Sequence, residues 1–143
     1  MQAQLAEPAS RDSFERCKLD FSERASHAPI YRLHRDLLQL RRSDPGIRQR
    51  RTDLVHGSVL SDGALALRIF CEAGHRLLIT NLGSDLELRS PAEPLLAPPP
   101  GSGGWQVVWC SESVHYGGQG FGPIYVEGRY NVPARTTVLL APT

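Results

Sequence analysis

The sequence predicts a mainly β protein, an antiparallel β-sandwich preceded by an N-terminal helical arm. Three observations carry this expectation. Apolar residues recur every three to four positions up to about residue 50, and in short alternating runs after it. The chain has 13 glycines and 11 prolines, most of them beyond residue 90, which implies many turns. The β-prone runs follow one another at short spacing with no helical run between them, as sandwiches require.

Along the arm, Ser10 is placed to cap a short helix over Asp12–Lys18, whose early acids suit the helix dipole. A longer helix runs from about His27 to Arg42. Ile30, Leu33, Leu37, Leu38 and Leu40 give it one apolar stripe, and Arg41 and Arg42 suit its C-terminal end. Ser26 is the expected cap, Pro29 fits only the first turn, and Ser43-Asp44-Pro45-Gly46 stops the helix. Strands are then expected at Val55–Leu60 and Ala64–Phe70, joined by Asp62-Gly63, a strong hairpin signal. Leu65, Leu67 and Ile69 share one face of the second strand. Glu72-Ala73-Gly74 turns the chain into His75–Asn81, and Leu86 and Leu88 mark another short strand. Pro91–Gly104 reads as a connection with a brief Leu95-Leu96 element, followed by strands Trp105–Cys110 and Arg135–Leu140. Five to seven strands result. The division is residues 1–50 for the helical arm and 51–143 for the sandwich.

Composition narrows the function classes. With 41% hydrophobic and 22% charged residues the chain is neither a disordered tail nor a membrane protein. No run approaches the ~20 apolar residues of a bilayer span, and the first residues lack the apolar core of a signal peptide. A net charge of +1 argues against a nucleic-acid partner. Charge is uneven all the same: residues 1–53 hold 11 Lys/Arg against 8 Asp/Glu, and the remainder 5 against 7. Cys17, Cys71 and Cys110 form neither a CxxC pair nor a disulfide framework, so a cytoplasmic location is expected.

Few residues suggest chemistry. The histidines at 27, 34, 56, 75 and 115 make no HExxH pair and no zinc spacing, so no metal and no cofactor is expected. Glu112 and His115 flank a glycine loop and have the chemistry of an acid and a base, but no third partner is visible. Gly117-Gly118-Gln119-Gly120-Phe121-Gly122 leads to Pro123 and a β run, not to the helix that a phosphate loop needs, and Gly101-Ser102-Gly103-Gly104 likewise enters a strand. Arg48, Arg50 and Arg51 read as a solvated linker.

The aromatic residues offer two readings. Trp105 and Trp109, four apart on a regular strand, share a face about 13 Å apart with Val107 between them. They are core or interdomain packing residues, or, with Tyr116 and Tyr125, planes on which sugar rings stack.

Taken together, several segments are familiar. Ser13-Phe-Glu-Arg-Cys-Lys-Leu-Asp-Phe-Ser-Glu23, followed by His34-Arg-Asp-Leu-Leu-Gln-Leu-Arg-Arg-Ser-Asp-Pro45, resembles the last barrel segment of α-amylase-superfamily enzymes (glycoside hydrolase family 13). The form is nearest to the malto-oligosyltrehalose trehalohydrolase family. Leu95-Leu-Ala-Pro-Pro99, Trp105-Gln-Val-Val-Trp-Cys-Ser-Glu112 and Tyr116-Gly-Gly118 resemble that family's C-terminal β-domain, and glycogen branching enzymes carry a similar Tyr-Gly-Gly loop. Phe21 stands where the family usually has Trp.

The resemblance implies a parent enzyme that hydrolyses α-1,4-glucosidic bonds and releases trehalose, using two carboxyl groups at the mouth of a (β/α)8 barrel. A complete barrel needs at least about 200 residues, so this chain holds its final helical segment and no catalytic residue. The expected role is a non-catalytic accessory domain that braces the barrel. An α-glucan binding module, or the C-terminal domain of a related enzyme such as a branching enzyme, is the alternative. Without a barrel the stripe on the 27–42 helix must find another cover. It packs on the sandwich, or it pairs with a second copy in a homodimer, the outcome preferred because the Pro45–Asp53 linker need not fold back.

Overall fold

A computed structural model describes residues 7, 9–49, 51–72 and 74–143. Arg50 of the arginine cluster and Ala73 of the expected turn lie outside the described residues. The arm contains helices α1 (Arg11–Arg16), α2 (Glu23–Ser26), α3 (Ala28–Ser43) and α4 (Pro45–Arg48). Eight strands follow: β1 (Val55–Ser61), β2 (Ala64–Ile69), β3 (Arg76–Asn81), β4 (Leu86–Arg89), β5 (Trp105–Cys110), β6 (Tyr125–Val126), β7 (Arg129–Val132) and β8 (Thr136–Pro142).

Ser10 caps α1 as expected, its hydroxyl accepting from the Ser13 amide at 3.0 Å. Ser26 does not cap α3. It ends α2 and donates to the Glu23 carbonyl, because the chain makes an extra helical turn before His27. At the other end Asp44 begins a new helix: its carboxylate accepts from the Gly46 and Ile47 amides and redirects the chain.

Every strand pair is antiparallel. One sheet has the order β1-β2-β3-β8-β5 and the other β4-β7-β6. Between them Leu77, Ile79, Trp105, Tyr130, Val138 and Leu140 form one core, to which both sheets contribute. This is the expected sandwich, with one more hairpin than the sequence suggests. The β6–β7 turn places Glu127 at φ 46° and Gly128 at φ 82°, a mirror-image turn that Glu-Gly signals only weakly. Arg135, at φ 53°, stands outside its expected strand, which starts at Thr136.

Two registers place side chains unexpectedly. On β2 the buried face is Ala64, Ala66 and Arg68, and the leucine face turns outward. On β5 the pairing slips between Val107, opposite Leu140, and Trp109, opposite Leu139. Val108 is the extra residue of a β-bulge, so the side chains after it change face. Trp105 and Trp109 therefore do not share a face: Trp105 enters the core, and Trp109 points to the outer side of the five-stranded sheet.

Candidate functional site

The outer side of that sheet is where the arm sits. Helix α3 turns Pro29, Leu33, Asp36, Leu37 and Leu40 to one half-buried edge, the three-to-four spacing of a single helical face. Polar contacts at both ends fix this edge to the sandwich. Near its start the Arg32 Nε donates to the His115 carbonyl at 3.1 Å, and the Tyr116 hydroxyl donates to Asp36 at 3.1 Å. Beyond its end the Arg76 guanidinium donates to Asp44 at 2.8 Å, with both side chains almost out of solvent. Gly46 completes this seam, since a Cβ there would lie 2.9 Å from the Arg76 side chain.

The helix lies on the sandwich, the first of the two arrangements open to it, through Leu33, Leu37 and Leu40. The chain folds back at the head of the linker, where Asp44 meets Arg76 of β3. The expected apolar stripe divides accordingly. Leu33, Leu37 and Leu40 are half-buried, whereas Ile30 and Leu38 are 53% and 52% exposed. Ile30 joins Leu19, Phe21 and Tyr31 around a hollow of about 490 Å³, in which Arg24 stacks 4.5 Å from the Phe21 ring. Phe14, Leu19 and Phe21 are each more than half exposed. One face of the arm is therefore fastened, and the other presents open apolar surface edged by Arg41, Arg42 and Arg48 beside Leu38.

The four aromatic candidates are dispersed. Trp105 is 5% exposed, its indole N–H donates to the Leu96 carbonyl at 2.9 Å, and Arg68 stacks 4.6 Å from its ring. Trp109 is half-buried with its ring 6.2 Å from that of Tyr116, and its buried N–H has no protein acceptor. Burial, and then the hydrogen bond to Asp36, raise the Tyr116 phenol above the usual tyrosine range. The Arg35 hydrogen bond holds the Asp36 carboxyl below its own ordinary range. Tyr125 is on the opposite sheet, its ring 5.0 Å from that of Tyr130 and tilted 59° to it, beside a groove of about 210 Å³. The four rings form no common platform. The structure places Tyr116 and Trp109 at the seam, Trp105 in the core and Tyr125 at the far groove.

The Glu112–His115 pair behaves as a loop support. The Glu112 carboxylate accepts from the Gln119 amide and its carbonyl from the Gly120 amide. A Cβ on Gly118 would fall 2.5 Å from the Glu112 backbone, so glycine is required for this close pass. His115 does have a carboxylate neighbour, Asp36 at 4.0 Å, invisible in the sequence because it comes from the arm. The loop does not lead into a helix, in agreement with the sequence reading. Among the described residues no three His, Cys, Asp or Glu side chains gather as metal ligands, and no helix is long and apolar enough to cross a membrane.

Asp36, Asp44 and Arg76 hold the seam together, and although Asp36 and Asp44 lie within a motif, nothing in the sequence pairs them with the sandwich. Arg76 had one signal, a lone cation in an apolar β run.

The chain is similar to several known proteins. Residues 52–141 match the model of a family described as a domain of unknown function, DUF3459. The malto-oligosyltrehalose trehalohydrolase of Deinococcus radiodurans is 42% identical over 85 residues, which cover 57% of this chain and 14% of that protein. The chain thus spans about a seventh of the curated relative. The α-amylase from H. orenii superposes with a TM-score of 0.47 at 18% identity, over 76% of this chain and 19% of that one.

Proposed function

The chain belongs to the DUF3459 family, and from that premise we propose that it is a non-catalytic accessory domain of a trehalose-releasing glycoside hydrolase, bracing the enzyme's catalytic barrel. The observation that carries this reading is the two-sided arm. Its inner edge is tied to the sandwich by Asp44–Arg76, Asp36–Tyr116 and Arg32–His115. Its outer side leaves Phe14, Leu19, Phe21, Ile30 and Leu38 in water. Five such side chains would each gain about 1.5–3 kcal/mol on full burial. A (β/α)8 barrel, whose outer helices bury apolar faces against one another, supplies a fitting cover. The arm of residues 1–50 and the sandwich of residues 51–143 then act together, the arm as the docking surface and the sandwich as its rigid support.

The 42% identity to a trehalohydrolase segment supports this parent over other α-amylase-type enzymes. Chemistry would reside wholly in the barrel, since glycoside hydrolysis needs two carboxyl groups about 5–9.5 Å apart across the scissile bond. Three free cysteines suit a cytoplasmic protein. The test is incubation of the chain with maltosyl-trehalose and assay of free trehalose. No release is expected. Release that follows the purified chain and is abolished by Glu112→Gln would overturn the assignment.

A second reading, α-glucan binding, draws on Tyr125, which borders the groove formed with Ser90, Pro91 and Pro98. Malto-oligosaccharide titration observed at the Gly128 and Tyr130 resonances of the same groove tests it directly. Saturable shifts lost in Tyr125→Ala would establish the site, and their absence at millimolar ligand would exclude it.

A further inference from the structure

Arg68 is the most deeply buried cation of the described residues, 3% exposed on the core face of β2, and no carboxylate accepts from it. Its charge is spread over neutral acceptors. One terminal nitrogen donates to the Leu95 and Ala97 carbonyls at 2.9 and 2.6 Å. The other two nitrogens both point at Nδ1 of His75, at 3.2 and 2.9 Å. The guanidinium also lies 4.6 Å from the Trp105 ring and 5.3 Å from the Phe70 ring. Because guanidinium nitrogens only donate, Nδ1 must offer its lone pair, and the neutral imidazole carries its proton on Nε2.

The surroundings of His75 do not favour a second proton. Phe70 meets its ring edge-on, and His56 of β1 lies against the same Phe70 ring. Arg51 and Glu72 line the cavity of about 540 Å³ beside it, and Arg51 is engaged by Asp53. Arg76 donates to the backbone carbonyl of His75 at 2.9 Å. Among the described residues no carboxylate pairs with the imidazole to balance a proton at Nδ1, whereas Arg68 stands directly there.

We propose that His75 and Arg68 form a proton-sensitive latch on the Pro91–Gly104 connection, which crosses from one sheet to the other. Neutral His75 holds the guanidinium on the carbonyls of Leu95 and Ala97. A proton on Nδ1 turns the acceptor into a donor facing a fixed cation, and the guanidinium is displaced from those carbonyls. Desolvation and then the Arg68 charge hold the imidazole below the usual histidine range, which agrees with this geometry. The sign follows: the unfolded chain takes up the proton first as pH falls through the ordinary histidine range. The latch is intact above that range, and stability is lost below it until the native imidazole titrates as well.

The experiment is NMR of the isotopically labelled chain between about pH 7.5 and pH 5, the span in which histidines change charge. Imidazole nitrogen shifts give the tautomer and midpoint of each histidine. Hydrogen exchange of the Leu96 and Ala97 amides, corrected for intrinsic rates, reports the connection. The expected result is an Nε2–H tautomer at His75, a midpoint below the ordinary histidine range, and loss of protection at Leu96 and Ala97 in acid. In His75→Gln, whose side-chain carbonyl accepts without titrating, that protection should not depend on pH. An Nδ1–H tautomer, a midpoint within or above the ordinary histidine range, or wild-type protection unchanged in acid would overturn the proposal. These readouts need no sugar and no barrel, so they are independent of the enzyme assignment.

Discussion

Asp44 and Arg76, 32 residues apart in sequence, meet at 2.8 Å with their side chains 8% and 10% exposed. The pair joins the end of the arm to the outer face of the sheet, and the same carboxylate caps the helix that follows. Its burial makes the contact an all-or-none fastening: each charge is tolerated there only while the other is present.

Removing one partner should therefore cost much more than a surface ion pair does. Arg76→Met is expected to lower the unfolding free energy by about 3–5 kcal/mol, by leaving the Asp44 charge uncompensated. Adding Asp44→Asn should recover part of that loss, because the remaining charge is gone and the amide oxygen still caps. Urea denaturation of the single and double variants measures both terms.

Alkali should weaken the core through Tyr130. This residue is 2% exposed and donates its hydroxyl to the Leu96 carbonyl. Burial raises its phenol well above the ordinary tyrosine range. A raised pKa means the unfolded chain loses the proton first. The stabilisation is complete below about pH 10 and is lost progressively as pH rises toward the native value. Tyr130→Phe should flatten this alkaline slope while costing about 0.5–1.5 kcal/mol at neutral pH. Thermal unfolding from neutral to strongly alkaline pH shows both effects.

The two tryptophans should behave differently. In Trp109→Phe the remaining Trp105 should resist acrylamide quenching, as its 5% exposure requires. In Trp105→Phe the remaining Trp109 should be quenched more readily. Equal quenching of the two variants would contradict the change of face at Val108. Trp105→Ala should cost about 3–5 kcal/mol, the range for an aromatic removed from a core.

Two glycines of one loop should separate cleanly. Gly118→Ala drives a methyl group into the Glu112 backbone and should loosen the turn that carries Tyr116. Gly122 has open space around its Cβ position. Its φ lies outside the left-handed region. Gly122→Ala should be neutral, or stabilising by about 0.4–1 kcal/mol through the unfolded state. Differential scanning calorimetry of both variants distinguishes them.

These contrasts show which features the sequence carried. Local rules located the helix of residues 28–43, the Ser10 cap and most of the strands, because periodicity and capping are properties of neighbours. What escaped them depends on distant partners or on a single backbone irregularity. The bulge at Val108 reverses the facing of Trp109, and nothing in Gln106-Val107-Val108-Trp109 marks it. The pairings of Asp44 with Arg76 and of Asp36 with Tyr116 join residues far apart in the chain. The β6–β7 hairpin was missed for a local reason: Glu127 occupies a left-handed turn position normally taken by Asn or Asp.

The role proposed for the open face of the arm is to dock a catalytic barrel. The direct measurement is a binding isotherm between this chain and the Deinococcus radiodurans relative truncated to remove its own matching segment. Saturable one-to-one binding is expected, lost in Leu38→Asp and in Phe21→Asp, both of which alter exposed positions and should leave the fold intact. No binding, or binding that survives both substitutions, would contradict it.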